Sequence, residues 1–310
     1  MRRALLLLSL LACHHDKPAA TPAAPIAPRT ITVTTDVPLD VTVLGPDTAK
    51  QTVIIITGGP GLSHDYAEPL GKLASADLRV AFYDQRGTGK SGRPPTSADG
   101  MADPAKHTLA LHVADLEAIR AALKVDKVAL LGHSWGSLIA QHYAIAHPEH
   151  VASLVILNGI PSNVTAFGAG IEHADKREEE LAAQGLVPKE PPTASGDGDC
   201  SAVKPLLPIY YADPKFPPGA EMAKMTCHKL SGATFATIGD AWDNRAALGK
   251  LTVHSLVMTG EGDLFGVGWA DDMAAALPGA KKVVLPKCGH MMWDECPDAL
   301  FGELRAFLTK

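Results

Sequence analysis

The stretch that decides the fold is Val128-Ala129-Leu130-Leu131-Gly132-His133-Ser134-Trp135-Gly136-Ser137. A short apolar run that stops at Gly132 reads as a buried strand. Ser137-Leu138-Ile139-Ala140-Gln141-His142-Tyr143-Ala144 then reads as a helix. Between the two, Ser134 has a glycine two residues before it and another two residues after it. Strand, sharp turn and helix around Gly-X-Ser-X-Gly is the arrangement that holds a serine on a strained backbone, with its hydroxyl clear of the sheet. The glycines let strand and helix pass close to one another. The backbone N–H of the next residue, Trp135, then points to where an oxyanion would form. Ser134 is the candidate nucleophile.

Working outward, residues 31–44 alternate apolar and polar and predict an antiparallel hairpin at a sheet edge. Thr52 to Thr57 reads as a strand buried on both faces, running into Gly58-Gly59-Pro60-Gly61. Residues 65–75 are a helix candidate. Arg79 to Tyr83 reads as the next strand and ends in Asp84-Gln85-Arg86-Gly87-Thr88-Gly89-Lys90-Ser91, a rigid turn anchored by Asp84 and Arg86. Leu109, Val113, Leu116, Ile119 and Leu123 fall at helical spacing over 108–123. Val151 to Leu157 is another strand.

The rhythm breaks at Gly159. Residues 160–240 are richer in proline, glycine and charge, with Arg177-Glu178-Glu179-Glu180 and Pro191-Pro192 among them. It resumes with a strand at 255–259, a helix near 268–277, a strand from Lys282 to Leu285 and a helix over 298–308. The alternation predicts an α/β fold: a mostly parallel sheet with helices on both faces. The core takes residues 30–159 and 241–310, and residues 160–240 are an inserted cap.

A serine is a poor nucleophile without a base. Gly260-Glu261-Gly262-Asp263 follows the strand at 255–259, and Cys288-Gly289-His290 follows the strand at 282–285. Both lie past the carboxyl ends of strands, where open parallel sheets bind ligands. His290 is the candidate general base, with Asp263 holding its tautomer; Glu261 is the rival acid. The order Ser, acid, His is the one α/β-hydrolases use. The glycine loop should supply a second oxyanion donor, Gly59 first and Gly58 as the alternative, since Pro60 has no N–H. His133 reads as a structural residue of the turn that points away from Ser134, and His142, His147 and His150 as surface or packing residues. No histidine pair stands at metal-ligand spacing beside a carboxylate, and no cofactor motif is present, so neither metal nor cofactor is expected.

The chain has 310 residues, 46% of them hydrophobic, and a net charge of -6. Nothing in it is basic enough to suggest nucleic acid. Met1-Arg2-Arg3, an apolar run from Ala4 to Ala12 and a following break read as a secretion signal over residues 1–12. Leu10-Leu11-Ala12-Cys13 resembles the lipobox of bacterial lipoproteins, which implies cleavage before Cys13 and a lipid on its thiol. The alternative is an ordinary signal peptide cut near Ala12. Residues 13–29 read as a disordered tether. The expected location is exported, anchored to a membrane on its periplasmic or outer side. The remaining four cysteines allow three connectivities, or four buried thiols; proximity favours Cys200 with Cys227 and Cys288 with Cys296, and a Cys288–Cys296 bond would close the loop that carries His290.

Gly-Gly-Pro-Gly-Leu-Ser-His-Asp-Tyr at 58–66, Asp-Gln-Arg-Gly-Thr-Gly-Lys-Ser at 84–91, Gly-His-Ser-Trp-Gly-Ser at 132–137, and Gly289-His290-Met291 with Glu295 following resemble the prolyl iminopeptidase and proline-amide hydrolase group of the α/β-hydrolase superfamily. Thr57 stands where that group usually has histidine, and its tryptophan- and glutamate-containing cap segment has no match here. The resemblance implies hydrolysis of short peptides or amides with a free N-terminus through an acyl-enzyme. Acidic cap residues could hold the ammonium: Glu178, Glu179 and Glu221, with Glu172, Asp175 and Glu180 in the same pool. A carboxylesterase or lactonase would use the same triad, and a binding protein could keep the fold without the reaction.

Overall fold

The structure is a computed structural model that describes residues 27–98, 100–238 and 242–309. The signal segment, Cys13 and most of the tether lie outside the described residues, as does the cap boundary at 240/241.

Eight strands form one sheet in the order β1-β2-β4-β3-β5-β6-β7-β8. β1 (Arg29–Thr34) and β2 (Pro38–Leu44) make the edge hairpin, and β2 runs antiparallel to β4 (Leu78–Tyr83). From there all pairs are parallel: β4 with β3 (Gln51–Ile56), β3 with β5 (Val128–Ser134), β5 with β6 (Val151–Gly159), β6 with β7 (His254–Gly260) and β7 with β8 (Lys281–Leu285). Val53 to Ile56 are wholly buried because helices cover both faces of the sheet. Helix α1 (Leu109–Ala122) is capped by Thr108, whose side chain accepts the Leu111 N–H. It packs beside α2 (Trp135–Ala146), the helix that leaves the elbow.

From β3 the chain steps outward to β4, then crosses back to place β5 on the other side of β3. The crevice between the carboxyl ends of β3 and β5 is therefore the topological switch point, where such sheets bind ligands. The glycine loop and the serine elbow sit there. The predicted helix at 65–75 is instead a 3-10 helix, His64–Leu73, with Pro69 inside it. Proline has no N–H for the α-helical ladder, which favours the tighter turns.

Between β6 and β7 the chain forms α3 (Val164–Ala183), several short turns and α4 (Ser231–Phe235). This segment is tied to the loops beneath it. The Ser63 N–H donates to the Thr226 carbonyl, the His228 N–H to the Gly61 carbonyl, and the Gly89 N–H to His228 Nε2. Disulfides join Cys200 to Cys227 and Cys288 to Cys296.

Candidate active site

Ser134 ends β5 with φ 52° and ψ −127°, in the left-handed region that an L-residue enters only under constraint. The flanking glycines are steric necessities. A Cβ on Gly132 would lie 2.5 Å from Ser137 Cα, and one on Gly136 would lie 2.1 Å from the Ile56 carbonyl oxygen. So α2 leaves the elbow in backbone contact with β5 and with the end of β3. Ser137 Oγ closes the turn by donating to the Ser134 carbonyl at 2.6 Å and accepting the Ile160 N–H at 2.7 Å.

Asp263 Oδ2 accepts from His290 Nδ1 at 2.6 Å. Asp263 sits just past β7 and His290 just past β8. Glu261 is exposed, and its carboxylate accepts a 3.4 Å hydrogen bond from the Lys287 N–H. Ser134, His290, Gly58, Gly59 and Trp135 all line one cavity of about 270 Å³. Gly58 lies against Ser134: a Cβ there would be 2.7 Å from Ser134 Cβ. Its N–H donates to Tyr66 Oη at 2.5 Å, leaving Gly59, at φ +94°, as the loop's other amide on the cavity.

Arg86, expected to anchor its turn, and several residues to which sequence reasoning gave no role hold these loops. Gln85 donates to the Thr57 carbonyl at 2.8 Å and accepts Trp135 Nε1–H at 3.0 Å, so one side chain spans the end of β3 and the elbow. Arg86 makes a two-pronged contact with Asp115 at 2.7 and 2.8 Å and reaches Asp36, which anchors the turn after β4. Asn158 donates to the carbonyls of Gly289 and His290 at 3.1 and 2.8 Å and accepts the Gly260 N–H at 3.0 Å. Glu295 accepts three backbone N–H groups, from Gly289, Ala212 and Asp213. A polar residue ending an apolar strand was the available signal for Asn158; for Gln85 and Tyr66 the quoted motifs contained them without indicating a role.

His133 corrects the reading of a turn residue that points away. It is part of β5, fully buried, its ring 4.7 Å from that of His290, and it lines the cavity. Glu178, Glu179 and Glu221 also need correction, because none of them lines this cavity. The first two turns of α3 present Phe167 and Ile171 to it. Glu178 follows Ile171 by roughly 10 Å of helix rise, and with Glu179 lines a separate open groove beside Asp175 and Lys189. Glu221 lies on a short 3-10 turn packed against helix 64–73. The cavity wall is instead apolar, built largely by Trp135, Ile160, Phe167, Tyr210, Phe235 and Phe265, and among the described residues it contains no carboxylate.

Glu117, His147 and His150 bring ligand atoms within 4.8 Å of one another, a grouping their sequence spacing did not suggest. A cation already occupies this place: Arg120 pairs with Glu117 at 2.6 Å, and its guanidinium holds the Glu117 carboxyl down at about 2.

The model of the alpha/beta hydrolase fold family matches residues 51–184. The chain has the α/β-hydrolase fold. It is 29% identical over 281 residues to the proline iminopeptidase of Lactobacillus crispatus, covering 86% of this chain and 93% of that protein. To the proline iminopeptidase of Saccharolobus solfataricus it is 26% identical over 263 residues, 80% of this chain and 81% of the relative. The crystal structure of the Mycobacterium smegmatis proline iminopeptidase superposes with a TM-score of 0.70 at 21% identity, over 91% of this chain and 98% of that one. These similarities, with the fold, make the chain a hydrolase that resembles the proline iminopeptidases.

Proposed function

We propose that this chain is a serine hydrolase that works through an acyl-enzyme on Ser134. The observation that carries the reading is the buried His290–Asp263 pair opening onto the same cavity as a serine held on a strained elbow. Asp263 accepts Nδ1–H and so leaves Nε2 of His290 to take the Ser134 proton as Oγ attacks the substrate carbonyl. The negative oxygen that develops is received by the N–H groups of Trp135 and Gly59. His290 then protonates the leaving group, and a water activated by the same imidazole releases the acid. A fluorophosphonate probe should label the protein at Ser134 and fail to label Ser134→Ala; labelling elsewhere, or none in the parent, refutes the reading.

For the substrate, the named relatives support a short peptide or amide with an N-terminal proline, whose ring suits an apolar wall. A second reading, a carboxylic ester or lactone, is favoured because none of the described residues of that wall is a carboxylate. An ammonium buried there would lose its hydration without a counter-ion. Comparing prolyl nitroanilide with nitrophenyl butyrate on one preparation decides between them by kcat/KM. We also propose export and lipid anchoring at Cys13, supported by the sequence of the first residues; fatty-acid labelling that persists in Cys13→Ala refutes it.

A further inference from the structure

We infer that Tyr66 and His133 are positioning residues that align the oxyanion loop with the loop carrying His290, through one directional chain of hydrogen bonds. This rests on the serine-hydrolase reading above. The Gly58 N–H can only donate, and it meets Tyr66 Oη at 2.5 Å. The tyrosine hydroxyl must therefore pass its own proton onward, to His133 Nδ1 at 2.9 Å. A neutral imidazole that accepts at Nδ1 carries its hydrogen on Nε2. That nitrogen lies 3.2 Å from the His290 carbonyl, which can only accept. The same carbonyl receives Asn158 Nδ2 at 2.8 Å, and Asn158 Oδ1 receives the Gly260 N–H at the end of the strand before Asp263. Every donor and acceptor along the path is used in one sense only. Donation runs from the Gly58 N–H to the His290 carbonyl, and a second run, from the Gly260 N–H through Asn158, converges on that same carbonyl from the acid's strand.

Two further observations fit. Burial, with the neighbouring His290, holds the His133 imidazole well below its usual range, which keeps it neutral and able to accept from Tyr66. Trp293 packs on both rings, 4.9 Å from His133 and 5.9 Å from Tyr66, and removes the space into which either could turn. The chain also decides which glycine amide faces substrate. With Gly58 engaged by Tyr66, the donor left to the oxyanion is Gly59. Neither Tyr66 nor His133 needs to touch the reacting atoms for this. Each acts by fixing a backbone whose displacement would spoil the geometry of attack.

The test compares full-length parent, Tyr66→Phe, His133→Phe and His133→Gln on a nitrophenyl ester. Glutamine can accept through its carbonyl and donate through its amide, as the imidazole does here. Tyr66→Phe and His133→Phe should each lower kcat by about tenfold or more with KM held within about twofold, because the loss falls on transition-state geometry. His133→Gln should recover most of that loss. Equal impairment in His133→Gln and His133→Phe, or kcat within about twofold of the parent in Tyr66→Phe, overturns the proposal. If His133→Phe does not fold, Tyr66→Phe, which removes one oxygen atom, decides alone. A readout independent of turnover is nitrogen NMR of the histidines. It should show His133 neutral with hydrogen on Nε2, and a change at Nδ1 in Tyr66→Phe; hydrogen on Nδ1 refutes the chain even if the protein proves inactive.

Discussion

Asp263 accepts a 2.6 Å hydrogen bond from His290 with both side chains shielded from water, at 0% and 1% exposure. In so dry a site the carboxylate fixes the orientation of the ring and, in the mechanism proposed, favours the imidazolium that would form during attack. Asp263→Asn keeps the shape and removes the charge, so kcat should fall by ~10²–10⁴. Glu261→Gln changes an exposed group bonded to the Lys287 N–H while the ring is bonded to Asp263, and kcat should stay within about twofold, well under 1 kcal/mol on the barrier. Steady-state kinetics on one ester checks both. A larger loss in Glu261→Gln would move the acid to that residue.

The elbow stores strain that can be measured. Ser134 sits at φ 52° and ψ −127°, a region that costs an L-residue on the order of 1–3 kcal/mol. Ser134→Ala removes the proposed nucleophile and keeps the Cβ; Ser134→Gly removes both. Glycine gives back roughly 0.5–1 kcal/mol through the freedom of its unfolded chain, so the net gain should be smaller than the strain. Ser134→Gly should therefore melt above Ser134→Ala by calorimetry, with both inactive. The opposite order would mean the elbow is not strained.

How much of this was legible in the chain depended on where each interaction lies. The elbow could be read because part of its requirement is local: Gly132 is dictated by the backbone contact of a strand and helix adjacent in sequence, while the contact that requires Gly136 is made with Ile56 of β3. Asp263 and His290 could be read because a parallel sheet delivers the ends of its strands to one edge. Asn158 and Tyr66 could not, because their partners lie 132 and 67 residues away and no periodicity encodes them. The glutamates of α3 misled for a further reason. Charge alone suggested an ammonium site, whereas the helix turns that face the cavity carry Phe167 and Ile171, and the glutamates come later on the same helix.

His64 gives a pH dependence of known sign. Asp84 Oδ1 accepts from both the backbone N–H and Nδ1 of His64, at 2.9 and 2.8 Å. Burial opposes the charged imidazole, but the Asp84 hydrogen bond and charge outweigh it, and His64 is raised above its usual 6.5. Burial likewise opposes ionised Asp84 and is outweighed by His64, so that carboxyl is lowered from its usual 3.8. The raised histidine stabilises the fold fully below about 6.5 and loses that contribution as pH rises through its folded value; the lowered aspartate contributes above about 3.8 and loses it as pH falls through its own. Melting temperatures of the parent and His64→Gln should differ most near pH 5–6 and converge toward pH 9. A gap that widens with rising pH would contradict the assignment.

The last prediction separates two devices on the His290 loop. The Cys288–Cys296 disulfide spans a sequence separation of 8 and brackets the histidine. Beside it, Glu295 accepts the Gly289 N–H at 2.6 Å and the Ala212 and Asp213 N–H groups at 3.1 Å each, and the His290 N–H donates to the Tyr210 carbonyl at 2.7 Å. With the carbonyl of His290 also held by His133 and Asn158, both backbone polar groups of that residue are fixed without the covalent bond. A closed loop this short contributes at the low end of ~2–4 kcal/mol, through the unfolded chain. Replacing both cysteines by serine should therefore lower the melting temperature and leave kcat within about threefold. Glu295→Gln leaves one carbonyl oxygen for three N–H donors and should lower kcat about tenfold, because a base displaced by a fraction of an ångström is a poor one. Turnover lost in the double serine variant at an unchanged melting temperature would give the positioning role to the disulfide instead.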